Sequence, residues 1–185
     1  MNHHRSSLLA VLAAATALAG CGASNQTMGA FLPAAAQAAE PVSERDQAFV
    51  AMVSQGGMFE VKAGALAATQ GNTQDIRDQG STEAHDHQLV GDKLRSICSA
   101  AGIPIADQLN EPFQKRLDDL KGLSGSSFDA AYLREMDDIH RKDGAAFRLE
   151  AKQGSNPALR AFAAETHRIV LRHRGELHAA RAATE

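Results

Sequence analysis

Four stretches of about 27 residues, each with an apolar stripe at helical spacing and each bounded by capping residues, dominate this chain. Ser43, with Asp46 three positions on, opens the first in the pattern of a capping box, and Gly71 closes it. Asn72 or Thr73 opens the second, which stops at Gly102 with Pro104 beyond. Ser126 or Ser127 opens the third, which runs to Gly154. Asn156-Pro157 is a cap followed by proline in the first turn, and it opens the last, which runs to about Ala182. A shorter helix carrying Phe113, Leu117 and Leu120 lies between Asn110 and Gly122.

Each long helix is about 40 Å at about 1.5 Å per residue. Very short turns join the first to the second and the third to the fourth, so these pairs must be antiparallel. Residues 102–126 join the pairs and are long enough to cross back along the bundle. With no Trp, one Tyr and few β-branched runs, a sheet is not expected. The fold expected is therefore all-α, a four-helix bundle with one crossover and a short extra helix in the connection between helices two and three. An up-down-up-down bundle with a capping helix is the alternative.

The segment before the helices reads as an address. Residues 1–20 have a mildly basic start (His3, His4, Arg5) and an apolar run from Leu8 to Ala19, too short for the roughly 20 residues a bilayer span needs. Leu18-Ala19-Gly20-Cys21 then reads as a bacterial lipobox, in which the cysteine thiol is lipidated and becomes the mature N-terminus. An ordinary signal with a chance cysteine is the alternative. Gly22 after Cys21 fits the outer-membrane sorting class. Residues 21–42 are rich in Ala, Gly, Ser, Gln and Pro and read as a tether, leaving residues 43–185 as one bundle domain. The expectation is an outer-membrane lipoprotein facing the periplasm, held to the membrane through Cys21. Cys98 is then alone, and its place on the apolar side of its helix favours burial over reactivity. The 19 basic residues less Arg5 stand against 22 acidic ones with no basic block, so nucleic acid is not an expected partner. A protein partner is undefined, and self-association stays open.

Titratable side chains interrupt the apolar stripes. Glu60 shares a face with Phe49, Val53, Gly56, Ala63 and Ala67. His87 shares one with Ile76, Gly80, Glu83, Val90, Leu94 and Ile97. His140 follows Phe128, Tyr132 and Met136, with Asp137 one turn before it; His173 lies among Leu159, Phe162, Thr166, Ile169 and Leu177. All four fall near mid-helix, within about 9 Å of bundle height. Buried carboxylates and imidazoles are costly unless they meet one another, water or an ion. Three histidines with a carboxylate suit Zn, Fe, Cu or Mn. The candidate metal ligands are Glu60, His87, His140 and His173, with Glu83, Asp86 and Asp137 as further members. Three readings stand: a satisfied polar layer, which is favoured, a metal centre, and a pH-sensing histidine cluster. Gly56, Gly64, Gly91 and Gly144 sit one turn from these residues on the same faces, and mark either space or close helix approach. His85, His167 and His178 fall off the stripes. No phosphate loop, CxxC or nucleophile elbow is present, and no catalytic set can be named.

Several short motifs, in order, carry a resemblance. Phe59-Glu60-Val61-Lys62-x-Gly64-x-Leu66-Ala67, Asp86-His87, Phe128-Asp129-x-x-Tyr132-Leu133, Met136-x-x-x-His140, Leu159-x-x-Phe162-Ala163 and His173 resemble the bacterial family catalogued as domain of unknown function 4142, over about residues 46–178. The resemblance implies a ferritin-like four-helix bundle exported to the periplasm or outer membrane, with no established activity. The matching positions are Glu60, Asp86, His87, Tyr132, His140 and His173. Arg141 stands where the family often has an acid, Glu83 where an apolar residue is expected, and His167 where the last helix has an apolar one. The Glu-x-x-His pairs of di-iron carboxylate bundles are absent; Asp137-x-x-His140 and Glu83-x-x-x-His87 stand instead. The leading functional reading is a non-enzymatic envelope lipoprotein acting by binding or interaction. The alternative is a metal-binding or redox protein using the mid-bundle residues.

Overall fold

The computed structural model describes residues 42–184; the expected signal segment, Cys21 and most of the expected tether lie outside them. Five helices follow one another: α1 (Glu44–Gln70), α2 (Gln74–Ala101), α3 (Glu111–Lys121), α4 (Gly125–Gln153) and α5 (Pro157–Thr184). Among the described residues there is no strand, and no helix is long and apolar enough to cross a membrane.

Local chemistry sets the helix ends. Ser43 Oγ accepts from Asp46 N, while the Asp46 carboxylate accepts from Ser43 N at 2.6 Å, a complete capping box. Thr73 caps α2, Asn110 caps α3, and Asn156 Oδ1 accepts from Ala158 N and Leu159 N at the start of α5. Gly102 closes α2 in the left-handed conformation, with φ 67°. α4 departs from the expectation. It begins at Gly125, after Ser124, so Ser126 and Ser127 lie inside its first turn. Gly125 has φ 58°, a conformation glycine tolerates, and the chain turns into the helix there without a side-chain cap.

α1 packs against α2 and α4, and α5 packs against the other sides of α2 and α4. The direction of α4 follows from its ends. Gln70 at the end of α1 donates to Leu123 O, and Asn72 N donates to Asp129 Oδ1 near the start of α4. At the opposite end, Asp46 accepts from Ser155 N and Asn156 N just after α4. α4 is therefore antiparallel to α1, and it starts at the end of the bundle where α2 also starts. Residues 102–124 must run back along the bundle. They do so against α1, whose Gln55 donates to Gln108 O and accepts from Asn110 N. The one-crossover expectation describes this arrangement; an up-down-up-down bundle would start α4 beside the end of α2.

The apolar interior is divided in two. Toward the α2 N-terminus, Phe59, Ile76, Leu120, Phe128, Tyr132 and Met136 form one cluster. Toward the α2 C-terminus, Phe49, Val50, Leu94, Phe147, Leu159 and Phe162 form another, which includes the buried free Cys98. On α5 the buried line runs Phe162, Thr166, Val170, His173, Leu177. Ile169, expected on that stripe, is only half-buried, because the line takes a step of four residues from Thr166 rather than three. Between the two clusters lies a layer of polar side chains.

Candidate metal centre

The layer is built by the mid-points of the four long helices. Glu60, Glu83, His87, His140 and His173 are each at most 2 % exposed. α2 supplies Glu83 and His87 from one face, since residues four apart stack on a helix. α1 supplies Glu60, α4 supplies His140 and α5 supplies His173.

One oxygen is the focus. Glu83 Oε2 lies 3.0 Å from His173 Nδ1, 3.2 Å from His87 Nε2 and 3.4 Å from His140 Nε2. His140 Nε2 and His173 Nδ1 are themselves 3.3 Å apart. These four atoms lie within 4.8 Å of one another. A tetrahedral site with metal–ligand bonds of about 2.1 Å has six edges of about 3.4 Å, and the four short separations are close to four of them. Despite this closeness, Glu83 Oε2 and His87 Nε2 have no hydrogen-bond partner of acceptable alignment.

The outward atoms of the same side chains are all engaged. His87 Nδ1 is 3.0 Å from Glu60 Oε2. His173 Nε2 is 2.9 Å from Asp86 Oδ2, which also receives Arg172. His140 Nδ1 is 2.7 Å from Met136 O. Glu83 Oε1 accepts from Gln79 Nε2 at 2.6 Å, and Gln79 Oε1 accepts from the Tyr132 hydroxyl at 2.6 Å. A neutral imidazole has one N–H. In a neutral ring the outer carboxylate or carbonyl draws that proton outward and leaves the inner nitrogen an acceptor; His173 Nε2 also lies 3.1 Å from Arg172 Nη2, and the inner nitrogens of His140 and His173 meet at 3.3 Å. With their protons drawn outward, the inner nitrogens and Glu83 Oε2 face one another as acceptors, a conflict that either a bound cation or protonation of the imidazoles removes.

The electrostatics show the same demand. Burial would raise the Glu83 carboxyl, but His140, His173 and His87 outweigh it and hold it well below the usual range. Burial would lower His140, yet Glu83 and Glu60 bring it up to about 9; His173 is raised in the same way, by Glu83 and Asp86. Tyr132 is pushed well above its ordinary value by burial and by the charges of Glu83 and Glu60. Positive charge is favoured at the centre of this layer, whatever carries it.

The sequence-predicted residues fall into three positions. Glu83, His87, His140 and His173 form the donor set. Glu60 and Asp86 stand behind His87 and His173; Glu60 Oε1 is also 3.7 Å from His140 Nε2 and has no hydrogen-bond partner. Asp137 is half-buried and takes no part in the donor set. It lies on one flank of His140, whereas the buried face of α4 (Met136, Ile139, Asp143, Phe147) continues on the other. Of the off-stripe histidines, His85 and His178 are exposed and His167 is half-buried.

Sequence reasoning missed Gln79 and Asp143. Gln79 sits one turn before Glu83, a spacing that could have signalled it. Asp143 is buried beside the layer, and burial together with the charge of Glu60 pushes its carboxyl well above the ordinary range. It occupies space left by Gly56 across the helix interface, where an added Cβ would overlap its carboxyl. Gly64 has a different reason. A Cβ there would come within 2.7 Å of Gly80 O, so α1 and α2 touch backbone to backbone.

The profile of the family described as Domain of unknown function (DUF4142) matches residues 32–180. No curated protein and no solved structure matches the chain.

Proposed function

The chain belongs to this family of unknown function, and we propose that it is a metal-binding protein whose centre is Glu83, His87, His140 and His173. The observation that carries this reading is the convergence of three imidazole nitrogens on Glu83 Oε2 without aligned hydrogen bonds, while every outward atom is satisfied. A metal-free polar layer would be expected to pair donors with acceptors. Here the acceptors outside the rings draw the imidazole protons away from Glu83 Oε2. Mixed imidazole and carboxylate ligation at tetrahedral spacing suits Zn best, and Fe, Mn or Cu less well. Four protein ligands leave no open position, so the centre suits holding a metal rather than turning over a substrate.

The test is elemental analysis of protein purified without a His-tag, with titration of stripped protein by zinc or cobalt. About one metal per chain is expected, together with the intense visible bands of tetrahedral cobalt(II). Sub-stoichiometric metal that does not change in a His87→Ala/His140→Ala double variant would sink the reading.

We also propose that the protein is exported and lipid-anchored at Cys21, on the motif Leu18-Ala19-Gly20-Cys21 after an apolar run. A Cys21→Ala variant should leave the membrane fraction; a variant that still sediments with membranes would rule out lipidation.

A further inference from the structure

A cavity of about 240 Å³ opens between α1 and α2, beneath Ile105 and Ala106 of the crossover. Its walls include Val53, Val61, Val90, Leu94, Phe147 and Phe162, and it reaches His87. We propose that it is a binding site for an uncharged, mainly apolar small molecule, a mono- or bicyclic aromatic or a short aliphatic chain, seated against His87.

Two glycines argue that the space is kept open. Gly57 on α1 and Gly91 on α2 both line the cavity and both lie inside helices. A glycine within a helix is destabilising relative to alanine, so it needs a reason. Neither has a positive φ. A Cβ at Gly57 would meet nothing within 4 Å, and one at Gly91 would meet only the Arg95 guanidinium, at 3.7 Å or more. These glycines therefore differ from Gly64 and Gly80, where a Cβ would press on backbone at 2.7 Å. What glycine supplies at positions 57 and 91 is volume.

The polar groups define the ligand by exclusion. Ser54 Oγ donates to Ala51 O, and Gln88 Nε2 donates to Asp92. His87 is committed to Glu60 and the centre. At the rim, Lys62 and Arg95 are offset by Asp107 and by Asp92, the ion-pair partner of Arg95. The donors of Ser54 and Gln88 are thus spent within their own helices, and the rim has no net charge to select an ion. An apolar cavity of about 150 Å³ is enough to hold benzene, so a two-ring hydrocarbon fits here.

Naphthalene is the probe, because the chain has no Trp and its emission is free of tryptophan background. Saturable binding of one naphthalene per chain is expected, with at least about tenfold weaker binding in Gly57→Leu and in Gly91→Leu. Both variants should melt no lower than the parent protein, since the added side chains enter open space. Either one suffices if the other does not fold. Non-saturable binding, binding that both variants leave unchanged, or tighter binding of 1-naphthoate or naphthylmethylammonium than of naphthalene would overturn the proposal. Repeating the titration on metal-stripped protein separates this site from the metal reading: naphthalene binding there stands or falls independently of metal content.

Discussion

Two buried polar regions of this bundle use the same side-chain types and reach opposite solutions. At one end, Asp46 is fully buried, yet its carboxylate is surrounded by donors: Ser43 N at 2.6 Å, Ser43 Oγ at 2.8 Å, Ser155 N at 2.9 Å and Asn156 N at 3.4 Å. Backbone N–H groups are unused in the first turn of a helix, so a carboxylate placed there needs nothing else. Its pKa is lowered to about 2: burial acts to raise it, but the bonds from Ser43 and Ser155 prevail. At mid-bundle every backbone N–H is already bonded to the preceding turn. Glu83 there can be satisfied only by side chains, and three imidazole nitrogens approach its Oε2 without an aligned hydrogen bond. The difference teaches that position along the helix decides whether a buried carboxylate is satisfied by free backbone N–H groups or depends on side chains for its partners.

This contrast can be broken most directly at the centre. Glu83→Ala should abolish stoichiometric metal binding, measured by elemental analysis, while Asp46→Ala should leave it intact. Stripping the metal from the parent protein with a chelator should destabilise it by about 4 kcal/mol if it is purified at roughly 1,000 times the dissociation constant. Equal urea midpoints for loaded and stripped protein would remove the distinction between the two regions.

Asp46→Ala tests the other side. Loss of the cap together with unsatisfied buried donors should lower stability by about 2–4 kcal/mol in urea unfolding. A loss below about 0.5 kcal/mol would mean that water replaces the carboxylate and the end site is not closed.

A smaller effect is expected behind the donor set. Glu60→Gln keeps the volume but weakens the acceptor for His87 Nδ1, and should weaken metal binding about 10–100-fold in a competition titration. An unchanged affinity would assign Glu60 to packing alone.

The subtlest prediction concerns Glu150, buried beside Asp46. Burial and the Asp46 charge raise its carboxyl from 4.5 to about 7. A carboxyl whose folded pKa is raised contributes stability that is fully present below its unfolded value and is lost as pH rises through about 7. Glu150→Gln, which cannot ionise, should therefore gain in stability over the parent protein between pH 5 and pH 8. Urea midpoints across that range measure it; a constant difference between the two proteins would show that Glu150 is not protonated in the fold.

Much of the architecture was legible along the chain because it is written in local chemistry. Ser43, Gly71, Thr73, Gly102 and Asn156 mark helix ends through bonds spanning only a few residues. The stripes of α1 and α4 predict burial because one helical period relates neighbouring residues. The mid-bundle histidines were visible as polar breaks in those stripes. Their ranking was not. Glu60 and Glu83 read alike in sequence, but the rotation of α2 against α4 and α5 brings Glu83 to the focus and leaves Glu60 behind His87. Asp137 and Asp143 both lie three residues from His140, and only the direction of the neighbouring helices makes Asp143 the buried one.

The sequence by itself determined the helices, their caps, the antiparallel pairs and the residue types available for a centre, since each depends on contacts within a few turns. Tertiary structure alone decided that the chain crosses over against α1, that four inner atoms from three helices meet within 4.8 Å, and which glycines admit a neighbour and which keep a cavity. These depend on the rotation and approach of whole helices, and no local period encodes them.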